Sequence, residues 1–306
     1  VAAWALGWLL SDRFLWSQFL AWIPTPLVAL WLGGGTLLLT LAWLARRRSG
    51  ALAAATAVLM LLLVALSVLT EHRPFAAVPA SPAGDRSLRL LHCNLHWPGR
   101  LVAPRALDIV RDRPEDILVF TDPGWLLHDG RESELAAAGW NSIRIGRYAV
   151  LSRLPYVEFR TLVGSRGTDV TLLRVDASSK GMGVLALGLV DMPSSLRHPR
   201  MAWAAELHGL LNELQAPEFN LVVGDFNATR GSASIARLFP ELRHAWEEAG
   251  RGWGASYSTT LPLWHIDHVL LAPSLTAVDY TLLDLGLSAH FAQVVIVVPA
   301  RAEPGG

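Results

Sequence analysis

"LVVGDFNATRG" occupies residues 221–231. Leu221, Val222 and Val223 run straight into Gly224, and Asp225, Phe226 and Asn227 follow. The apolar run reads as a buried strand, so a carboxylate and an amide stand at its mouth, one residue between them. In α/β proteins, strand ends are where ligand groups from distant parts of a chain are gathered. The same placement recurs along the sequence. Asn94 follows "LRLLHC", Asp122 follows "DILVFT", Asp267 opens "IDHVLLA" and His290 follows "LGLSA". Carboxylates, amides and one imidazole form an oxygen-rich set that suits Mg²⁺ or Mn²⁺ better than zinc, which favours Cys and His. A hard cation held by such groups is a phosphoryl-transfer constellation. Taken singly, each Asn or Asp after a strand has an ordinary alternative as a turn residue. His265 and His268, beside Asp267, read as local polar residues rather than ligands. His92 and His96 flank Asn94 within reach of the same place, and His198 and Arg200 open a helix.

The region around these residues alternates short apolar runs with helical stretches. "LRLLHCNL", "DILVFT", "DVTLLRVDA", "GVLALGLV", "IDHVLLA" and "QVVIVVPA" read as strands, and "PRALDIVRDR", "ESELAAAG" and "RMAWAAELHGLLNEL" as helices. Mixed strands and helices of this kind predict an α/β domain with a buried sheet over residues 88–302.

The first seventy residues have another character. The whole chain is 52% hydrophobic and 17% charged, and the apolar excess is concentrated here. "LVALWLGGGTLLLTLAWLA" (27–45) and "ALAAATAVLMLLLVALSVL" (51–69) are uncharged and close to the ~20 residues that cross a bilayer. "VAAWALGWLL" (1–10) is a shorter apolar stretch, a partial span at most. Residues 1–70 are therefore expected to form a membrane region that meets the lipid bilayer through its helices, with Trp16, Trp22 and Trp31 suited to the interface. Arg46, Arg47 and Arg48 lie between the two runs, and a short loop with three arginines stays in the cytoplasm. This predicts a multi-pass inner- or plasma-membrane protein with its C-terminal domain extracytoplasmic. "EHRPFAAVPASPAGDRS" (71–87) reads as a linker.

Lys plus Arg equals Asp plus Glu, giving a formal net charge of +0. The basic balance of a duplex-binding protein is missing, so nucleic acid is not a favoured partner. Cys93 is the only cysteine; it lies inside an apolar run and reads as a buried structural thiol.

The motifs, taken in order, resemble the endonuclease/exonuclease/phosphatase superfamily, the fold of deoxyribonuclease I, and the apolar hairpin ahead of them resembles its membrane-anchored bacterial branch. "LRLLHCNL" is similar to the family's opening strand with its Asn, "PEDILVFTDPGW" to its second-strand motif, and "YAVLSRLP" (148–155) to a further strand. "LVVGDFNAT" closely resembles its GDFN motif, "IDHVLLAP" the segment after it, and "LSAHFAQVVIV" its closing Ser-Asp-His motif. The resemblance implies a four-layer α/β sandwich, two packed β-sheets flanked by helices, and a divalent-metal-dependent hydrolase of phosphodiester or phosphomonoester bonds. It implies that Asp225 orients and activates the attacking water, Asn227 holds a phosphate oxygen, Asp267 fixes the imidazole of His290, and His290 stabilises charge on the phosphoryl group. Asn94 and Asp122 would hold the Mg²⁺ or Mn²⁺. The substrate is a phosphate ester of a class the sequence leaves open, because one fold hosts many substrates.

Three positions depart from the family's pattern. Asp122 stands where the family has Glu, Ala289 where it has the Asp of Ser-Asp-His, and Val190 or Asp191 where it has a His. Loss of groups that touch the reacting centre commonly costs orders of magnitude in rate. Two expectations follow: a membrane-anchored phosphate-ester hydrolase, or a non-catalytic descendant of the fold that serves as a tethered binding or scaffold protein.

Overall fold

The computed structural model describes residues 1–46, 50–67, 69, 86–96, 103–127, 132–165 and 167–300. The Arg47–Arg48 part of the arginine loop and residues 71–85 of the expected linker lie outside them.

Four helices come first: α1 (Ala2–Leu10), α2 (Leu15–Ala21), α3 (Thr25–Arg46) and α4 (Gly50–Ser67). Val28, Ala29 and Leu32 of α3 pack with Leu63 of α4 and Trp4 of α1, and the Trp4 indole donates to Thr25 Oγ1 at 3.1 Å. The outer sides of α3 and α4 stay apolar and uncovered; Leu30 and Trp31 are 75% and 71% exposed. Among the described residues one helix is long and apolar enough to cross a membrane, with 21 residues from Thr25 to Ala45 at mean hydropathy 1.9. The second expected span, 51–69, falls on α4, whose apolar stretch Gly50–Leu66 is shorter. At ~1.5 Å per residue it falls somewhat short of a ~30 Å hydrocarbon core.

The rest is an α/β sandwich. One six-stranded sheet contains β1 (Leu88–Asn94), β2 (Ile117–Thr121), β3 (Asn141–Ile145), β4 (Tyr148–Ser152), β11 (Leu275–Leu283) and β12 (Ala292–Pro299) in the order β11-β12-β1-β2-β4-β3. The other contains β5 (Tyr156–Ser165), β6 (Thr168–Asp176), β7 (Val184–Asp191), β8 (Leu221–Asp225), β9 (Arg243–His244) and β10 (Asp267–Leu271) in the order β5-β6-β7-β8-β10-β9. Helices α5 (Ala103–Arg111) and α6 (Glu132–Ala137) accompany the first sheet, and α7 (Arg200–Glu213) and α8 (Ala233–Leu238) the second. A short α9 (Ala245–Ala249) follows β9.

Strand side chains alternate between faces, and here both faces are buried, which is why the runs are apolar throughout. Leu88 and Leu90 of β1, Ile117 and Val119 of β2, Leu187 and Leu189 of β7, Leu221 and Val223 of β8, and Val269 and Leu271 of β10 meet between the sheets. The intervening Leu91, Cys93, Leu118 and Phe120 pack with Ala106, Leu107 and Val110 of α5 and Leu135 of α6. Val222 and Leu270 pack with Ala204, Leu207 and Leu211 of α7 and Leu238 of α8. Cys93 is fully buried in this outer layer, and burial pushes its thiol well above the ordinary range. The four layers are those the resemblance implied.

Continued by two residues, the inward rows reach polar groups at one end of the sandwich. On β1 the row Leu88, Leu90, His92 ends on Asn94, on β7 it ends on Asp191, and on β8 it ends on Asp225. The same end of β10 carries Asp267.

Candidate active site

Strand register assembles the site. Asp225 is directly paired with Asp191 on parallel β7 and with Asp267 on antiparallel β10, so three carboxylates stand side by side across three strand ends. Gly224, just before Asp225, allows this: a Cβ there would sit 1.7 Å from the Val190 carbonyl oxygen. Asn94 closes the gap from the other sheet, its amide donating to Asp225 Oδ2 at 2.8 Å. Asn227 turns back with a left-handed φ of 47°, which Asn tolerates better than most residues. Its backbone N–H donates to Asp225 Oδ1 at 2.8 Å and its side-chain amide to the Met192 carbonyl at 2.7 Å. On the far side, His290 Nδ1 lies 2.9 Å from Asp267 Oδ2, leaving Nε2 free of that bond.

Asn94, Asp122, Asp225, Asn227 and His290 line one pocket of about 560 Å³, and Asp267 stands behind His290. His96, Arg147, Asp191, Met192, Ser194, Tyr257 and Trp22 are among the other residues of its wall. The six residues singled out in the sequence are thus brought together. A pocket of about 620 Å³ lies elsewhere, between α7, α8 and the Ala272–Pro273 turn, and holds none of them.

The electrostatics are those of buried charges forced together. Burial, and then Asp267, pushes Asp225 up to about 7, although the donors from Asn227 and Asn94 and the nearby His290 pull the other way. Burial and Asp225 push Asp191 up to about 8 in spite of Arg147. Burial works against a charged His290, but the charge and hydrogen bond of Asp267 outweigh it and raise His290 to about 9. Burial would raise Asp267 as well; His290 reverses that and holds it below the usual carboxylate range.

Asp122 differs from the expectation of a metal ligand. Arg147 forks onto it, Nε to Oδ1 at 2.8 Å and Nη2 to Oδ2 at 2.6 Å. Its third nitrogen, Nη1, lies 2.5 Å from Asp191 Oδ2. A guanidinium therefore stands between the two acids, at two of the positions where the sequence departs from the family. β2 and β4 bring this about: Thr121 pairs with Tyr148, and the next residues continue the ladder, Asp122 N–H donating to the Arg147 carbonyl at 2.9 Å. Arg147 was missed in the sequence. Its signal was a lone arginine at the start of "YAVLS", meaningful only once that run is paired with "ILVFT".

A divalent ion fits one part of the site and not the other. At Asp122 both oxygens face a fixed cation that would repel the ion. Deeper, Asp225, Asp267 and His290 are all buried and place ligand atoms within 4.8 Å of one another, a group that could hold one. Burial first and the neighbouring Asp267 second raise Asp225, and a cation bound there would favour its charged form.

Of the histidines set aside, His92 is buried between Thr121 Oγ1 at 3.0 Å and Gln293 at 2.8 Å. His265 and His268 stack on each other with ring centres 4.9 Å apart, away from the pocket wall.

Residues 93–290 match the Endonuclease/Exonuclease/phosphatase family, and the chain belongs to it. A human Nocturnin catalytic domain with bound sulfate is 14% identical with a TM-score of 0.54, covering 70% of this chain and 94% of its own. A mannosyl-6-phosphatase of Bacteroides thetaiotaomicron is 17% identical with a TM-score of 0.51, covering 69% and 99%. A 3′ phosphatase from Neisseria bound to product DNA hairpin is 15% identical with a TM-score of 0.50, covering 68% and 98%. At these identities the likeness is one of fold. No curated protein matches the sequence.

Proposed function

We propose that the chain is a membrane-anchored hydrolase of phosphate esters, with its catalytic domain on the extracytoplasmic side. The observation that carries the reading is the joined Asn94–Asp225 and Asp267–His290 pairs around one pocket, in a chain of this family. The phosphatases among structures of the same fold are consistent with it.

Asp225, Asp267 and His290 would hold a divalent ion, Mg²⁺ or Mn²⁺, and such an ion would supply Lewis-acid charge to the phosphoryl group. Arg147 draws the phosphate in and keeps two of its donors fixed on Asp122. Asn227, pinned by its side-chain amide on the Met192 carbonyl, stands in the pocket wall beside Asp225. Asp225 lines the pocket with its carboxylate held by Asn94 and the Asn227 N–H, and there it can orient a water and take its proton as the water oxygen bonds to phosphorus. The ester oxygen departs with the bonding pair and is protonated by solvent. Asp267 holds the His290 imidazole in one orientation through Nδ1, so that Nε2 is the nitrogen left to face the ion.

The test is turnover of p-nitrophenyl phosphate and bis(p-nitrophenyl) phosphate by the full chain, with Mg²⁺ and Mn²⁺ titrated. Asp225→Ala is expected to lower the rate by about 100-fold or more, the usual scale for such groups. Equal rates for parent and variant would remove the reading. A second reading, a non-catalytic tethered binding protein, is favoured by the Arg147 fork on Asp122. It becomes the better one if neither ester turns over.

A further inference from the structure

We infer that the pocket opens at the membrane surface and that its substrate is the phosphate ester of a lipid headgroup rather than a water-soluble ester. This deepens the proposed function and rests on it.

The first ground is how the N-terminal segment meets the domain. Asp12, Ser17 and Gln18 are almost completely buried, at 2%, 0% and 0% exposure, although they belong to an otherwise apolar stretch. Asp12 accepts the Ser234 N–H at 3.1 Å and the Ser234 hydroxyl. Ser11 Oγ accepts the Ala233 N–H at 3.1 Å and donates to the Gly231 carbonyl at 3.2 Å. Gln18 donates to the carbonyls of Leu196 and His198 and accepts the Arg200 N–H at 3.2 Å. These partners lie in the loops after β7 and β8 and in the first turns of α7 and α8 that follow them, and the two loops contribute Pro193, Ser194, Ser195 and Asn227 to the pocket lining. Buried polar groups so completely matched fix one docking geometry, where apolar packing alone would tolerate several.

The second ground is Trp22. It lines the pocket together with Asn94, Asp225 and His290. Its carbonyl accepts the Trp264 indole N–H at 3.0 Å, and the two rings lie 5.9 Å apart. The apolar helix α3 starts at Thr25. Three residues of chain reach at most about 11 Å, so pocket rim and span start cannot be further apart than that from Trp22.

The third ground is the outer face of α1 and α2. Trp8, Leu9 and Trp16 are 66%, 66% and 54% exposed, and Phe14 and Phe19 are exposed too. Exposed aromatic and aliphatic side chains on helices next to a span suit the headgroup–acyl boundary. With that face in the interface, Trp22 and the pocket lie at headgroup depth. A phosphate attached to acyl chains then reaches the site without leaving the bilayer.

The experiment uses the full chain in nanodiscs or mixed micelles and pairs of esters with the same phosphate linkage. Phosphatidic acid is set against glycerol 3-phosphate, and phosphatidylglycerol against glycerophosphoglycerol. At least one lipid is expected to exceed its soluble partner about tenfold in kcat/KM. The double change Trp16→Glu, Phe19→Glu is expected to lower that ratio at least fivefold. A spin label at Ser194→Cys on the rim should be relaxed by Ni²⁺-chelating lipids more than one at Ser179→Cys at the opposite end. Equal or inverted ratios in both pairs, with the soluble esters turned over, overturn the inference and spare the hydrolase. Equal relaxation at the two labels overturns it independently of turnover. A dimer that the double change disperses without moving the ratio assigns the face to a second copy and also overturns it. Failure of every ester, the p-nitrophenyl ones included, removes the hydrolase reading and this one with it.

Discussion

Arg147 joins two of the site's acids, Asp122 and Asp191, through one guanidinium. It is about one-third exposed, so its pairs are weaker than fully buried ones and stronger than those on an open surface. Without it, Asp122 and Asp191 would lose the one guanidinium that touches both of them. Arg147→Ala is expected to cost about 1–3 kcal/mol at pH 8, discounted for that exposure. The cost shrinks at pH 5.5, where a carboxyl already raised to about 8 takes up its proton in the folded protein. Heat unfolding of parent and variant at the two pH values measures this, and an equal cost at both would reject it. The variant is also expected to bind Mn²⁺ more tightly in calorimetry, because Asp122 and Asp191 lose the cation they now share. For the same reason Asp122→Glu with Ala289→Asp, in the presence of Arg147, should gain little metal affinity. The residues legible in the sequence were those that end apolar runs. Asp225, Asn227, Asp267, Asn94 and His290 are placed by their own strands. What Asp122 does was not legible, because it depends on which residue the β2–β4 register sets beside it.

At the scale of elements, several imidazoles are built into strands and their flanks, His92, His265 and His268 buried and His244 partly so. Burial pushes His92 and His244 down to about 4, His268 to about 3, and His265 well below its ordinary value. Unfolding releases them to protonate near 6.5, so below that pH the unfolded chain binds more protons and stability falls as pH falls. Asp225 and Asp191, raised to about 7 and 8, act in the opposite sense, since they hold protons in the fold that the unfolded chain has lost. Near pH 5, four imidazoles against two carboxylates leave a net uptake of about two protons on unfolding, a slope of about 2.7 kcal/mol per pH unit. Above 6.5 the sign reverses, because the two carboxyls and His290, raised to about 9, give up protons that the fold had favoured. Stability of the full chain in neutral detergent is therefore expected to peak between about pH 6 and 7. His268→Gln should flatten the acid limb alone. Urea midpoints at pH 5, 6.5 and 8.5 measure both limbs, and a midpoint that rises steadily from pH 6.5 to 8.5 would contradict the assignment. In the sequence only His265 and His268 read as local polar residues; the burial of His268 follows from helix and sheet packing on both faces of the second sheet, and that of His92 from the first, which no single run displays.

At the scale of the whole molecule, an α/β domain with a buried sheet was legible from the apolar runs that alternate with helical stretches, and the four-layer sandwich from the order of the motifs and the family they resemble. The way the N-terminal segment docks was not, because Asp12, Ser17 and Gln18 look like minor interruptions until their partners across the chain are known. That docking bears on topology. Trp22 and its neighbours hold the start of α3 against the domain, so α3 must leave the domain's side of any membrane it crosses. The chain returns to β1 after α4, so if α3 crosses, α4 and the residues beside it must cross back, despite the shortness of the apolar part of α4. The end of α3 at Arg46 would then lie on the side opposite the domain, and the rule that short arginine-rich loops stay in the cytoplasm is what selects the extracytoplasmic side proposed for the domain. A periplasm-dependent reporter fused after residue 300 is expected to be active. A cytoplasm-dependent reporter at the same point is expected to be silent, and a cysteine placed at Ser194 should react with an impermeant thiol reagent in intact cells or spheroplasts. Replacing Arg46, Arg47 and Arg48 by Ser should weaken this bias and yield a mixed population, since the docking alone does not choose the side. A cytoplasmic reporter active in the parent would reject the orientation, and a label-protected Ser194→Cys beside it would reject the extracytoplasmic site as well.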